Sequence, residues 1–154
     1  MPGTCDRPST PTATHEQASW LPRRRRSAGA ARRLLRDFLA AQAEAAERFL
    51  EVGELLVSEL VANAVEHART PPRRLILVRF ALGDDELRIE VHDAGDRLPS
   101  ARAATELPDL GSETGRGLFL VRRLSSRWGC QPRPGGVGKT VWCTVTPTDG
   151  NAVA

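Results

Sequence analysis

Glu59 and Asn63 form the first pair whose residue types and spacing could serve a chemical reaction. They are four positions apart in a stretch with helical periodicity, so they lie about 40° apart around the helix axis and point the same way. An amide oxygen in that position can coordinate Mg²⁺, and a carboxylate can hold a hydroxyl group that must lose a proton. Considered alone, the pair is explained more simply as solvated residues beside the apolar face of an amphipathic helix.

Two further segments contain residues suited to a nucleotide. Asp93 ends a strand-like stretch and is followed by Gly95, so its carboxylate can accept a hydrogen bond from an exocyclic amine while the glycine lets a flat ring approach the backbone. Gly115 and Gly117 flank Arg116 at the start of a predicted helix, where backbone N–H groups, the helix dipole and a guanidinium suit phosphate oxygens. Each segment, taken separately, is also typical of an ordinary turn.

The segment GGVGKTVWCTV, residues 135 to 145, contains the last residues of a Walker A phosphate loop. Arg133 stands where that motif needs its first glycine, and VWCTVT alternates like a strand instead of opening a helix. We therefore interpret the segment as a glycine-rich turn that enters a strand, so the phosphate chemistry must come from elsewhere in the chain.

The periodicity predicts the elements that position these residues. The first predicted element is a helix of residues 27 to 42, with Ser27 as its N-cap. A second helix follows at residues 47 to 67. Strands at 74 to 80 and 86 to 93 follow, joined by the turn LGDD into a hairpin. After a long loop at 94 to 114, the pattern predicts a helix from Gly115 to about Trp128 and a final strand, VWCTVT. This order indicates an α+β fold.

Length and composition restrict the class of protein. The 154 residues fit one domain, and residues 1 to 18, rich in proline and small polar residues, are predicted to be a disordered tail. The net charge is +3, but five positive charges, Arg7 and Arg23 to Arg26, lie near the N-terminus, which disfavours a direct nucleic-acid surface. Three cysteines without CxxC spacing and no apolar run of membrane length favour the cytoplasm.

Taken together, these segments resemble the nucleotide site of the GHKL ATPase/kinase superfamily. SELVANAVEHA resembles its N box, VHDAGDRLP its G1 box, GRGLFLVRRLSSRWG its G2 box and GKTVWCTV its closing strand. The similarity is closest to the small actinobacterial anti-sigma factor serine/threonine kinases and covers about Trp20 to Pro147. It implies a Bergerat fold: a two-layer α/β sandwich whose mixed, mostly antiparallel sheet is covered by helices on one face. The domain is accordingly expected at residues 19 to 147, with a flexible C-terminal tail at 148 to 154.

The resemblance implies a site for ATP and Mg²⁺. By position, Asn63 would be the magnesium ligand and Glu59 the general base. Asp93 would bind the adenine amine with Gly95 beside the ring, and Thr140 would contact the adenine or its bound water. The segment of Gly115, Arg116 and Gly117 would line the triphosphate. The chain departs from the family at DAGDR, where Arg97 replaces the second glycine of the G1 box.

The implied activity is that of an ATP-dependent protein serine/threonine kinase. It would regulate transcription by partner switching, with a sigma factor and an antagonist protein as partners and the antagonist as phosphoryl acceptor. The alternative is a non-catalytic ATP-binding anti-sigma or adaptor module, which the Arg97 departure favours. A histidine kinase catalytic domain is less well supported, because no helical pair bearing an acceptor histidine precedes the N box. Pairing into a homodimer is left open.

Overall fold

A five-stranded sheet and three helices make up the described part of the chain, residues 13–42, 44–67, 75–93, 113–132 and 138–147 of a computed structural model. The elements, in chain order, are β1 (His15–Pro22), α1 (Arg26–Ala40), α2 (Ala45–His67), β2 (Leu75–Leu82), β3 (Leu87–Asp93), α3 (Glu113–Leu124), β4 (Arg127–Pro132) and β5 (Lys139–Val145). The strand order is β1-β2-β3-β5-β4, and every neighbouring pair is antiparallel. This arrangement confirms the predicted α+β sandwich.

The core lies between one face of the sheet and the helices. Alternate residues of β2 and β3, including Ile76, Val78, Ile89 and Val91, are buried against the apolar faces of α1 and α2. The two long helices pack against each other, and Arg36 of α1 forms an ion pair with Glu54 of α2 at their exposed edge. No helix within the described ranges combines the length and the hydropathy needed to cross a membrane.

The hairpin of β2 and β3 sets the register of the sheet. Leu82 lies opposite Leu87, and the Gly83 N–H donates to the Glu86 carbonyl at 2.9 Å, which closes the turn predicted from LGDD. Arg48, near the start of α2, forms an ion pair with Asp85 in this turn. The turn and the start of α2 are therefore at the same end of the sheet, which we call the hairpin end.

The structure differs from the sequence prediction in three places. Strand β1 begins at His15, so residues 15–18, assigned above to a tail, pair with β2. The helix predicted to reach Trp128 ends at Leu124, and β4 begins at Arg127. The prediction of Ser27 as N-cap is wrong: Arg25 takes that position, its side chain does not cap the described helix, and the Ser27 hydroxyl donates to the Pro22 carbonyl.

The sheet face opposite the helices has its own polar layer. The Arg88 guanidinium carbon lies 4.4 Å from the centre of the Trp142 ring, a cation–π contact. The same indole lies against the neighbouring strand, where a Cβ on Gly129 would come within 2.8 Å of it. A side chain at position 129 would therefore overlap Trp142 unless the indole or the strand shifted.

Candidate functional site

The polar stripe of α2 lies where the sequence predicted it. Asn63 is only 6% exposed, and its side-chain oxygen Oδ1 is buried without a hydrogen-bond partner among the residues that the structure describes. Glu59, one turn earlier, is partly buried on the same side of the helix. The apolar neighbours Leu60 and Ala64 pack into the core, so the Asn63 amide lies at the edge of the core. An acceptor oxygen buried in this way costs about 1–3 kcal/mol unless it is satisfied by a ligand.

Helix α2 runs from the hairpin end toward the end of β3 that carries Asp93. A Cβ on Gly53 would lie 3.4 Å from the Leu87 side chain, so Gly53 of α2 lies beside the start of β3. The ten residues from Gly53 to Asn63 advance about 15 Å along the helix, and β3 advances about 20 Å from Leu87 to Asp93. Because α2 packs on β3 and β5, Asn63 comes to the Asp93 end of the sheet.

Asp93 shares that end with a residue that the sequence analysis did not assign to the site. Lys139 is its direct partner in the register of β3 and β5, so both side chains point to the face covered by helices. Each residue is 1% exposed, and the Lys139 Nζ lies 4.0 Å from the Asp93 Oδ2. Burial lowers the pKa of Lys139, although the neighbouring Asp93 carboxylate opposes this effect.

The position of Lys139 follows from the turn before it. Gly138 has φ 93°, in the left-handed region that favours glycine, and β5 begins at the next residue. Lys139 therefore belongs to a strand and not to the first turn of a helix, which agrees with the rejection of a Walker A loop. The sequence did contain a signal for this missed lysine. Lys139 is in phase with the core-facing residues of the final strand, so alternation along that strand places it on the buried face.

Thr140 does not join Asp93. Successive strand residues point to opposite faces, so Thr140 faces away from the helices, on the same side as its register partner His92. Its Oγ1 lies 2.9 Å from the His92 Nδ1, and Thr140 is 2% exposed. The family resemblance implies a contact between Thr140 and the adenine beside Asp93, but in the structure the two side chains lie on opposite faces of the sheet, because a shift of one residue along β5 changes the face.

Helix α3 brings its N-terminal turn to the same end of the sheet. The helix ends at Leu124. Two residues later, the Ser126 N–H donates to the Thr144 carbonyl at 2.8 Å, at the hairpin end. The helix extends for about 18 Å along α2, so its first turn lies at the Asp93 end. Gly115, Arg116 and Gly117 belong to this first part of α3, but their side chains lie outside the described residues, as do Gly95 and Arg97.

The electrostatics of α2 suit a proton acceptor. Burial raises the pKa of the Glu59 carboxyl above its usual range, and the nearby Glu66 carboxylate raises it further. A carboxylate with a raised pKa holds a proton more readily at neutral pH. Glu59, Glu66 and Asn63 thus form one polar stripe beside a buried ion pair and a helix N-terminus.

A family model described as a histidine kinase-like ATPase domain matches residues 21–145, which is more than half of the chain. No curated protein matches.

Proposed function

Because the chain belongs to the histidine kinase-like ATPase family, we propose that it binds Mg-ATP between α2, the N-terminus of α3 and the adjoining ends of β3 and β5. We further propose that it transfers the γ-phosphoryl group to a serine or threonine of an antagonist protein, and so controls a sigma factor by partner switching. The observation that carries the proposal is the buried Oδ1 of Asn63, which lies one helical turn from Glu59 and has no hydrogen-bond partner in the described part of the chain.

The polar atoms available at this end of the sheet fit Mg²⁺. This ion prefers oxygen ligands and usually binds through one or two protein side chains together with phosphate oxygens and water. The Asn63 oxygen supplies one such ligand, and the described residues contain no cluster of three or more His, Cys, Asp or Glu that would form a cage made by protein alone. When bound, Mg²⁺ neutralises charge on the phosphate oxygens.

The residues of the chain divide the remaining work. Asp93 accepts a hydrogen bond from the exocyclic amine of adenine, and the positive end of the α3 dipole faces the phosphates. Glu59 accepts the proton of the acceptor hydroxyl. The hydroxyl oxygen bonds to the γ-phosphorus while the bond between that phosphorus and the ADP oxygen breaks. The raised pKa of Glu59 brings its proton affinity closer to that needed for this transfer.

A second candidate is an ATP-binding module that sequesters its partner without phosphoryl transfer. The observation that favours it is Arg97, which stands where the family's G1 box has a second glycine. Such a module would bind Mg-ATP through the same Asn63 and Asp93, so nucleotide binding alone does not separate the two functions. The Glu59→Gln variant separates them, because only the kinase needs the carboxylate.

Binding is tested by isothermal titration of Mg-ATP into the protein and into Asn63→Ala, with Glu51→Gln as a control at an exposed position of the same helix. We expect binding to be lost or greatly weakened only in Asn63→Ala. Transfer is tested with γ-labelled ATP and a candidate antagonist, where Glu59→Gln should keep ATP binding and lose about 10²- to 10⁴-fold in transfer rate. Absence of ATP binding refutes both functions, and regulation that survives Glu59→Gln supports the module.

A further inference from the structure

Asp93 and Lys139 place a hydrogen-bond acceptor and a hydrogen-bond donor side by side at the candidate site. They are opposite each other in the register of β3 and β5, on the face toward the helices, and each is 1% exposed. Burying an ion pair brings little net stability, because the loss of hydration offsets the attraction between the charges. Stability alone therefore gives a weak reason for a lysine at this position.

The Lys139 ammonium and the Asp93 carboxylate are neighbours, but they do not form a direct hydrogen bond with each other. The Lys139 Nζ is 4.0 Å from the Asp93 Oδ2, longer than a hydrogen bond, and an ammonium has three protons to donate. A flat ring that approaches Asp93 with an amine therefore meets a second, positively charged donor beside the carboxylate. Thr140, the neighbouring residue of β5, cannot take this role because it faces the other side of the sheet and contacts His92.

Adenine has the matching pattern on its Watson–Crick edge. The exocyclic amine at C6 is a donor, and the adjacent ring nitrogen N1 is an acceptor. A carboxylate beside an ammonium supplies the complementary order, acceptor and then donor. Guanine carries the reverse order, a carbonyl oxygen and then an N–H, so the same two groups would have to exchange partners.

We propose that Lys139 is a base-contacting residue, whose ammonium donates a hydrogen bond to N1 of adenine while Asp93 accepts one from the C6 amine. This inference rests on the proposed binding of ATP and assigns to Lys139 the contact that the family resemblance assigned to Thr140. Lys139 thereby sets the preference for adenine together with Asp93.

The test uses the unmodified protein and a pair of nucleotides that differ at one atom. Binding of Mg-ATP is compared by titration with binding of Mg-1-deaza-ATP, in which a C–H group replaces N1 and the amine is kept. A hydrogen bond to a charged donor predicts that 1-deaza-ATP binds about 10- to 100-fold more weakly. Mg-GTP should also bind more weakly than Mg-ATP.

Two variants assign the contact to a residue. In Lys139→Met, whose folding is checked by circular dichroism, ATP and 1-deaza-ATP should bind equally. In the control Thr140→Val, the 10- to 100-fold difference should remain. Equal binding of the two nucleotides by the unmodified protein overturns the role of Lys139 and leaves ATP binding intact. Loss of the difference in Thr140→Val but not in Lys139→Met also overturns the role of Lys139. Failure of the unmodified protein to bind Mg-ATP removes the proposed function and this inference with it.

Discussion

A double-mutant cycle on the Asp93–Lys139 pair tests whether burial determines the energy of this ion pair. At 4.0 Å, two unit charges attract by about 4 kcal/mol at an effective dielectric constant near 20. Removing one partner also leaves the other charge buried, so we expect Asp93→Asn and Lys139→Met each to lower the free energy of unfolding by about 3–5 kcal/mol. The double variant should lose less than the sum, with a coupling energy of about 2–4 kcal/mol.

The measurement is urea denaturation without nucleotide near pH 7, followed by circular dichroism. With a slope of about 1–3 kcal/mol per molar urea, each single variant should shift the midpoint downward by at least about 1 M. If a single variant is largely unfolded in buffer, the double variant should regain structure, because it buries no unpaired charge.

The surface pair Arg36–Glu54 is the matched control. Its shortest contact is 2.7 Å, but the two side chains are 55% and 26% exposed. Solvent screening should limit its coupling energy to about 1 kcal/mol or less. Distance alone predicts the opposite order, since the surface contact is the shorter one. A coupling energy at Asp93–Lys139 no larger than that at Arg36–Glu54 would refute the reasoning.

Three further predictions concern other parts of the fold. Glu59→Gln should raise the melting temperature near pH 7, because burial and Glu66 raise the pKa of this carboxyl and so disfavour its ionised form. The gain should shrink as the pH falls from the raised pKa of the folded protein to the usual glutamate range, as measured by scanning calorimetry, and a gain independent of pH would contradict this explanation. Gly129→Ala should cost about 1–3 kcal/mol in urea because of the clash with Trp142, and Gly129→Ala in a Trp142→Leu background should cost less. Gly138→Ala should cost about 1–2 kcal/mol in urea because φ is 93°, and no loss would show that the turn readjusts.

The sequence predicted the elements with strong periodicity. Helix α2 and the hairpin of β2 and β3 combine long apolar patterns with a turn signal, and their predicted positions agree with the structure within a few residues. Residues 15–18 of β1 were assigned to a tail because an edge strand buries little, and HEQASWLP has polar residues on both faces. Strand β4 was missed because RWGCQP follows a helix whose pattern has no clear end signal.

The site was predicted in part. Glu59 and Asn63 are identified by helical spacing, which depends only on neighbouring residues in the chain. Lys139 could not be assigned in the same way, because its proximity to Asp93 depends on the register between strands separated by more than forty residues. The family pattern directed attention to Thr140, and one residue along a strand is sufficient to place a side chain on the wrong face.

The pairing of β1 with β2 has a consequence for synthesis on the ribosome. Partner residues in this pair are 53 to 67 positions apart in the chain, from Pro22 with Leu75 to His15 with Leu82. At about 5–20 residues per second, β1 is made roughly 3 to 13 s before its partner strand. During that interval β1 has no strand to pair with, although it contains Trp20 and Leu21. The risk of aggregation in this interval is lowered by three polar residues of β1, Glu16, Gln17 and Ser19. They interrupt the apolar run, and an interrupted run is less prone to associate with other nascent chains.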